Sequence, residues 1–309
     1  MGPRFRGGDE GKIVINTAPV TDLDRVVGFT IPGRHARGRV ARLGPVLDQI
    51  LSAHAYPAPI ERLGATLKDA QGQMTLQAQA PGAIVNLLVC DYKGGELRGY
   101  VQFDAERLSQ LGKNPTLNAL CAKGYLAVTF DQVVTRERYQ GIVPLDARSI
   151  GAAAEQYFLQ SEQIPTLIRL GTHRDAQGKL IAGGILLQHL PEGEAGRERL
   201  HVRLDHPEWQ HVEALASTMG ADELADAGIP LENLVWRLFN EEPEVLLASG
   251  TDLARGCRCD TAYISQVLAK FPAEERAEMA DENGVISVDC AFCSTKFPLK
   301  LSDFVSQPL

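Results

Sequence analysis

Apolar positions recur along this chain at two spacings, and the change from one to the other divides it. In the first two thirds, short apolar runs stand at 82–90, 97–103, 126–130 and 180–187. Several are flanked by Gly-rich or Asp/Gln/Gly turns, the pattern of β-strands. Helical spacings lie between them: Val40, Leu43, Leu47 and Leu51, then Ile150, Ala153, Ala154, Tyr157 and Phe158. No internal repeat is visible. The pattern predicts an α+β fold, with a mixed α/β core over residues 1–203 whose patterned part begins near residue 13.

From residue 204 the strand spacing stops. Val212, Leu215, Ala216 and Met219 make one amphipathic stripe, and Leu231, Leu234, Val235 and Leu238 make a second. Pro207, Pro230 and Pro243 punctuate them. Helices this short do not stand alone and must dock on something. Residues 204–256 also hold 11 Asp and Glu against Arg237 and Arg255 only, a net of −9. Self-repulsion should make the docking of this helical linker marginal, and added salt should steady it.

Residues 257–309 form a third unit. Asp260 or Thr261 can cap a helix with the stripe Ile264, Val267, Leu268 and Phe271, and Pro272 can begin another helical turn. Asn283-Gly284 is a turn signal before a strand at 285–289. Cys290-Ala-Phe-Cys293 and Phe297-Pro-Leu follow, giving strand, knuckle, strand.

Composition narrows the class. Hydrophobic residues make up 44% of 309, enough for a real core and consistent with about two domains. No run of 18 apolar residues exists, and the polar, Gly-rich N-terminus lacks a secretory signal's apolar stretch, so a cytoplasmic, reducing setting is expected. The net charge of −8 argues against a general nucleic-acid binder. The basic cluster Arg34, Arg37, Arg39 and Arg42 reads as a solvated face. There is no phosphate loop of the G-x-x-x-x-G-K-[ST] type, no H-E-x-x-H and no G-x-S-x-G. His201, His206 and His211 lack metal spacing and read as surface residues. The Gly94-Gly95 and Gly183-Gly184 pairs mark turns or close packing.

The chemistry sits in the cysteines. Cys257-Arg-Cys259 and Cys290-Ala-Phe-Cys293 are separated by 30 residues. Two close pairs of thiolates converging on one ion match tetrahedral zinc, so one Zn2+ per chain on Cys257, Cys259, Cys290 and Cys293 is expected. Cys90 and Cys121 read as small core residues. A C-x-C disulfide is strained, hence reducible and suited to regulation. A unit of about 50 residues is small enough to depend on its metal, so oxidation should unfold it and free the linker. Two other readings compete. A zinc-ribbon recruitment module needs a basic face, but 257–309 hold five Lys and Arg against eight Asp and Glu. A thiol oxidoreductase places C-x-x-C at a helix start, not between strand-like runs.

At these residues the chain resembles the redox-regulated heat-shock chaperones of 33 kDa, the oxidation-activated holdases. Gly94-Gly-Glu-Leu-Arg-Gly-Tyr100, Arg138-Tyr-Gln-Gly-Ile-Val143, Ser161-Glu-Gln-Ile-Pro165, Ala182-Gly-Gly-Ile-Leu-Leu-Gln188, Leu190-Pro191 and Trp236-Arg-Leu-Phe239-Asn-Glu-Glu242 carry the likeness beside the four cysteines, from about 13 to 305. The resemblance implies an α+β core, a linker folded over it and a C-terminal zinc domain. It implies ATP-independent capture of unfolding proteins rather than an enzyme. It further implies Cys257–Cys259 and Cys290–Cys293 disulfides and a homodimer in the oxidised state; the charge and the lack of a long apolar run predict no nucleic-acid or membrane partner. After His54-Ala-Tyr-Pro57 the family runs a longer apolar helix than 58–65 here allow, by about three helical turns.

Overall fold

In the computed structural model the described residues are 4–6, 22–54, 56–57, 73–112, 114–131, 138–190 and 204–304. The short stretch at 58–65 and His201 lie outside them.

Alternation shapes β2 (Arg25–Ile31) in the first sheet, while β10 (Leu180–His189) is buried on both faces. In β2 residues 27, 29 and 31 point to one face, and β3 (Ala36–Leu43) pairs with β2 through all its length. A Gly-Pro step at 44–45 ends β3, and α1 (Pro45–Ser52) follows. The helical spacing of Val40, Leu43, Leu47 and Leu51 therefore spans two elements. Val40 and Leu43 are strand residues because β2 and β10 hydrogen-bond to both sides of β3. Asp24 caps α1 by accepting from the amides of Gly44 and Val46 at 2.9 and 3.0 Å. With β1 (Arg4–Arg6), β9 (Thr166–Arg174), β11 (Glu244–Leu247) and β12 (Thr251–Asp252), the order is β1-β11-β2-β3-β10-β9, with β12 beside β2.

The second sheet has the order β13-β6-β5-β4-β7-β8. Its strands are β4 (Gln73–Gln79), β5 (Val85–Lys93), β6 (Glu96–Phe103), β7 (Tyr125–Asp131), β8 (Arg138–Pro144) and β13 (Ala254–Arg255). The run expected at 82–90 shifts to β5, since Gly82 has φ +78° in the preceding turn. Helices α2 (Ala105–Ser109), α3 (Leu117–Cys121) and α4 (Ile150–Ser161) follow. Leu47, Leu76, Leu88, Leu126, Tyr157 and their neighbours form one core. Cys121 lies fully within it and Cys90 packs against it, as the sequence predicts. Burial pushes the Cys90 and Cys121 thiols up to about 12 and about 11, leaving them unreactive.

A second core lies between the other face of the first sheet and the linker helices α5 (Pro207–Ser217), α6 (Ala221–Ala225) and α7 (Leu231–Phe239). Trp209, Val212, Ala216, Leu231, Leu234 and Val235 are fully buried against Val27, Phe29, Val40 and Ile185. Both predicted stripes are thus the docked faces. The linker's acids also meet arginines of β2 and of the turn before β3. Arg34 pairs with Glu208 at 2.5 Å and with Glu242 at 2.8 Å, and Arg25 with Glu232 at 2.7 Å. Arg42 is 0% exposed and donates to the carbonyls of Leu224 (3.0 Å) and Ile229 (2.7 Å). The cluster read as a solvated face is therefore, at Arg34 and Arg42, the seam that holds the linker. Burial lowers the Arg42 pKa, yet an arginine keeps its charge.

Backbone closeness completes the seam. A Cβ on Gly183 would lie 1.9 Å from the Leu224 carbonyl oxygen, and one on Gly171 2.0 Å from that of Ala221. Glycine at these two strand positions lets α6 rest directly on β9 and β10. Gly183→Ala is expected to lift α6 and cost about 1–3 kcal/mol, as overpacking does. A lowered denaturant midpoint and faster amide exchange over 207–239 check it. The close opposite-charge pairs also reverse the salt expectation. Raising ionic strength should loosen the linker by screening attraction, read as faster proteolysis within 204–256; slower cleavage would contradict it.

Candidate metal centre

The C-terminal module has little else to hold it together. α8 (Thr261–Leu268), α9 (Ala273–Met279) and the hairpin β14 (Val285–Asp289) and β15 (Lys296–Lys300) enclose only Leu268, Ile286 and Leu299 as buried core. Asp260 caps α8 by accepting from the Ala262 amide at 3.0 Å, and Gly284 (φ +71°) turns the chain into β14. Such a core falls well short of what an independent fold of this size needs.

Four cysteines meet where that core is thinnest. Cys257 and Cys259 leave β13, which runs parallel to β6 at Ala254 and Arg255. Gly256 extends the contact, its amide donating to the Leu97 carbonyl at 2.9 Å. Cys290 and Cys293 sit in the tight turn between β14 and β15. There the Cys290 amide donates to Thr295, the Ser294 amide donates to Cys290, and Ser294 has φ +58°. The Sγ separations are 3.4 Å for Cys257–Cys259, 3.6 Å for Cys257–Cys290 and 3.7 Å for Cys259–Cys293. All four Sγ atoms lie within 4.8 Å of one another, and all four thiols are unbridged.

A tetrahedral ion with metal–sulfur bonds of about 2.3 Å has sulfur–sulfur edges of about 3.8 Å. The observed spacings approach that cage, and four soft sulfur donors suit a soft tetrahedral ion. Among the described residues this is the one cluster of His, Cys, Asp or Glu with such geometry. His206 instead caps α5, its Nδ1 accepting from the Glu208 amide at 3.3 Å. His211 meets Glu242 at 2.6 Å.

The bare sulfurs oppose one another's ionisation. Desolvation, then the adjoining sulfurs of Cys257 and Cys293, push Cys259 up to about 12. Desolvation also raises Cys290. At Cys293 desolvation acts upward too, but hydrogen bonds from the Thr295 side chain and amide, and from Cys257 and Cys290, outweigh it and bring the thiol down to about 6. A divalent cation at the centre would favour all four thiolates.

The residues enclosed by each pair were not singled out by the sequence, since they carry no ligand chemistry. Arg258 donates to the buried Asp91 of β5 at 2.9 Å. Phe292 lies under the Arg98 guanidinium at 4.1 Å and edge-on to Tyr100 at 5.1 Å. Ser294 donates to the Ala53 carbonyl at 2.9 Å. For Arg258 and Phe292 the signal was only their place inside the motif; Ser294 lies one residue beyond it.

Fold and site thus define a two-sheet α+β core covered by a helical linker and carrying a four-thiol metal-type module. The family model described as Hsp33 protein matches residues 24–300. The 33 kDa chaperonin of Caulobacter vibrioides is 38% identical over 302 residues, covering 91% of this chain and 97% of its own. That of Cronobacter sakazakii is 31% identical, covering 91% and 93%. The crystal structure of the 33 kDa chaperonin from Thermotoga maritima shares the fold at a TM-score of 0.71 and 22% identity, over 91% of this chain and 97% of that one. The chain belongs to the Hsp33 family. Relatives named as chaperonins bear out the chaperone reading over the oxidoreductase one. The turn between two strands, rather than a helix start, agrees. No described helix is long and apolar enough to cross a membrane.

Cobalt(II) added to the reduced, metal-free protein should give the absorption of a tetrahedral thiolate complex and saturate at about one equivalent. Cys→Ser at any one of the four positions should weaken it sharply. A spectrum unchanged by Cys290→Ser would remove that residue from the ligand set.

Proposed function

We propose that this chain is an ATP-independent holdase of the cytoplasm, kept inactive by Zn2+ on Cys257, Cys259, Cys290 and Cys293 and activated by oxidation. The observation that carries the reading is the pairing of a near-tetrahedral four-thiol cluster with a module that, among its described residues, fully buries three core side chains and half-buries five more against them. Bound zinc would hold the four sulfurs as thiolates and cross-link two segments 30 residues apart. In modules of this kind the ion contributes about 10–16 kcal/mol of folding free energy.

Oxidation removes the ligands. One peroxide accepts two electrons from a thiol pair, giving one disulfide and two waters once protons are counted. Two peroxides therefore close both pairs, with the family resemblance favouring Cys257–Cys259 and Cys290–Cys293. The module then lacks the core to stay folded. Its attachment to the linker through Gly256 and β13 carries the loosening toward β12 and β11. Linker release would expose the apolar faces of α5 and α7 and the sheet surface at Val27, Phe29 and Ile185 beneath them. An apolar surface of that kind fits unfolding client proteins. We place the three units at 1–203, 204–256 and 257–309, and take the active form as a homodimer, without nucleic-acid or membrane partners.

Peroxide at moderately raised temperature should release about one zinc per chain and, in the same sample, suppress aggregation of a thermally unfolding client. Peptide mapping should find the within-pair disulfides rather than Cys257–Cys290. Zinc release without client retention, or retention with zinc still bound, would contradict the reading.

A further inference from the structure

Besides the Ser294 contact with Ala53, the module touches the core through the residues its cysteine pairs enclose, and both of these contacts end on one core cluster. Asp91, 3% exposed on β5, takes Arg98 of β6 at 2.8 Å and Arg258 at 2.9 Å on the same Oδ2. The Thr75 hydroxyl donates to its Oδ1 at 3.3 Å. Arg98 also reaches the other pair, its guanidinium lying over the Phe292 ring. Asp91 and Arg98 are thus joined to Cys257-Arg258-Cys259 through a charged hydrogen bond and to the Cys290–Cys293 turn through a cation–π contact. Tyr100 and His54 flank the second, His54 Nε2 lying 3.4 Å from the Phe292 carbonyl oxygen.

We propose that Arg258 and Phe292 form a two-point latch on Asp91 and Arg98 through which the core reads the state of the metal site; this rests on the metal-switch reading above. Each contact alone is weak. A cation–π contact contributes about 0.5–2 kcal/mol, and the buried Arg258 Nε finds no hydrogen-bond partner among the described residues. With all four sulfurs held together, the two points sit at fixed separation, and closing one raises the effective concentration of the other. When the pairs part, each must bind alone, and the latch opens although no residue of it has reacted. The core then loses its hold on Arg258, two residues beyond Gly256, which continues β13 along β6. The latch therefore couples sulfur chemistry to release of the linker's end without any change at the core itself.

The test uses the full, reduced, zinc-loaded chain and three variants: Arg258→Ala and Phe292→Ala, which remove one point each and leave the buried Asp91 with Arg98, and the Arg258→Ala/Phe292→Ala double variant, which removes both. Zinc content and amide exchange by mass spectrometry are measured first, then the time to client retention after peroxide. We expect every variant to hold one zinc per chain, with amide protection over 253–260 and 290–294 falling about tenfold in Phe292→Ala, equivalent to about 1.4 kcal/mol. The double variant should lose less protection than the two single losses summed, since losing either point already opens the latch, and oxidised variants should retain client sooner. Protection within about twofold of the parent in both Arg258→Ala and Phe292→Ala, or lost protection with unchanged activation time, would overturn the latch. If the oxidised parent retains no client, the holdase reading fails, and the exchange data alone decide whether the latch exists.

Discussion

The described residues C-terminal to 256 gather around four sulfur atoms lying within 4.8 Å of one another. The polypeptide around them buries Leu268, Ile286 and Leu299 and little more. A fold with so small an apolar core is stable only while something else ties its ends together. The two-stranded hairpin, a short capped helix and the turn at Ser294 are all consistent with a scaffold shaped to present thiols rather than to stand alone. On the function proposed above, such a module has a single point of failure, and thiol oxidation is the chemistry that reaches it.

The grip on the linker is uneven along its length. The linker is anchored by buried apolar stripes, by Arg25, Arg34 and Arg42, and by the absence of Cβ atoms at Gly171 and Gly183. Asp22 of the core accepts from the Leu231 amide at 2.8 Å, capping a helix whose own sequence supplies no cap. Its C-terminal end is different. β12 and β13 are two residues each, and β13 joins a sheet edge in parallel. The strongest grip is thus at the helices and the weakest beside the cysteines. Release beginning at the module would meet little resistance until it reached α7.

Much of this was legible in the sequence. The cysteine spacing named all four ligand candidates, because paired thiols at C-x-C and C-x-x-C have few other uses. The stripes of 212–219 and 231–238 named the docked faces of α5 and α7, because a short helix has only one way to bury four apolar residues. β3 was misread because Arg37, Arg39 and Arg42 broke its hydrophobic pattern. Arg42 is buried only because it finds backbone carbonyls on a segment some 180 residues away, which no local pattern reports. The same holds for the linker's charge. Its net of −9 suggested repulsion, but the arginines that meet it come from β2 and from the turn before β3. Asp91, Arg98, Arg258 and Phe292 were invisible for a related reason: their roles arise from pairing across the module boundary, not from spacing.

The most direct measurement of the central claim is amide hydrogen exchange across the whole chain before and after the metal is removed with a chelator under reducing conditions. Loss of the ion alone, with no disulfide formed, should strip protection from 257–304 first and then from the linker strands β13 and β12, while β4, β5 and β7 stay protected. Uniform loss across both sheets would show that the metal stabilises the fold as a whole, and unchanged protection over 257–304 would show that the four sulfurs do not hold the module at all.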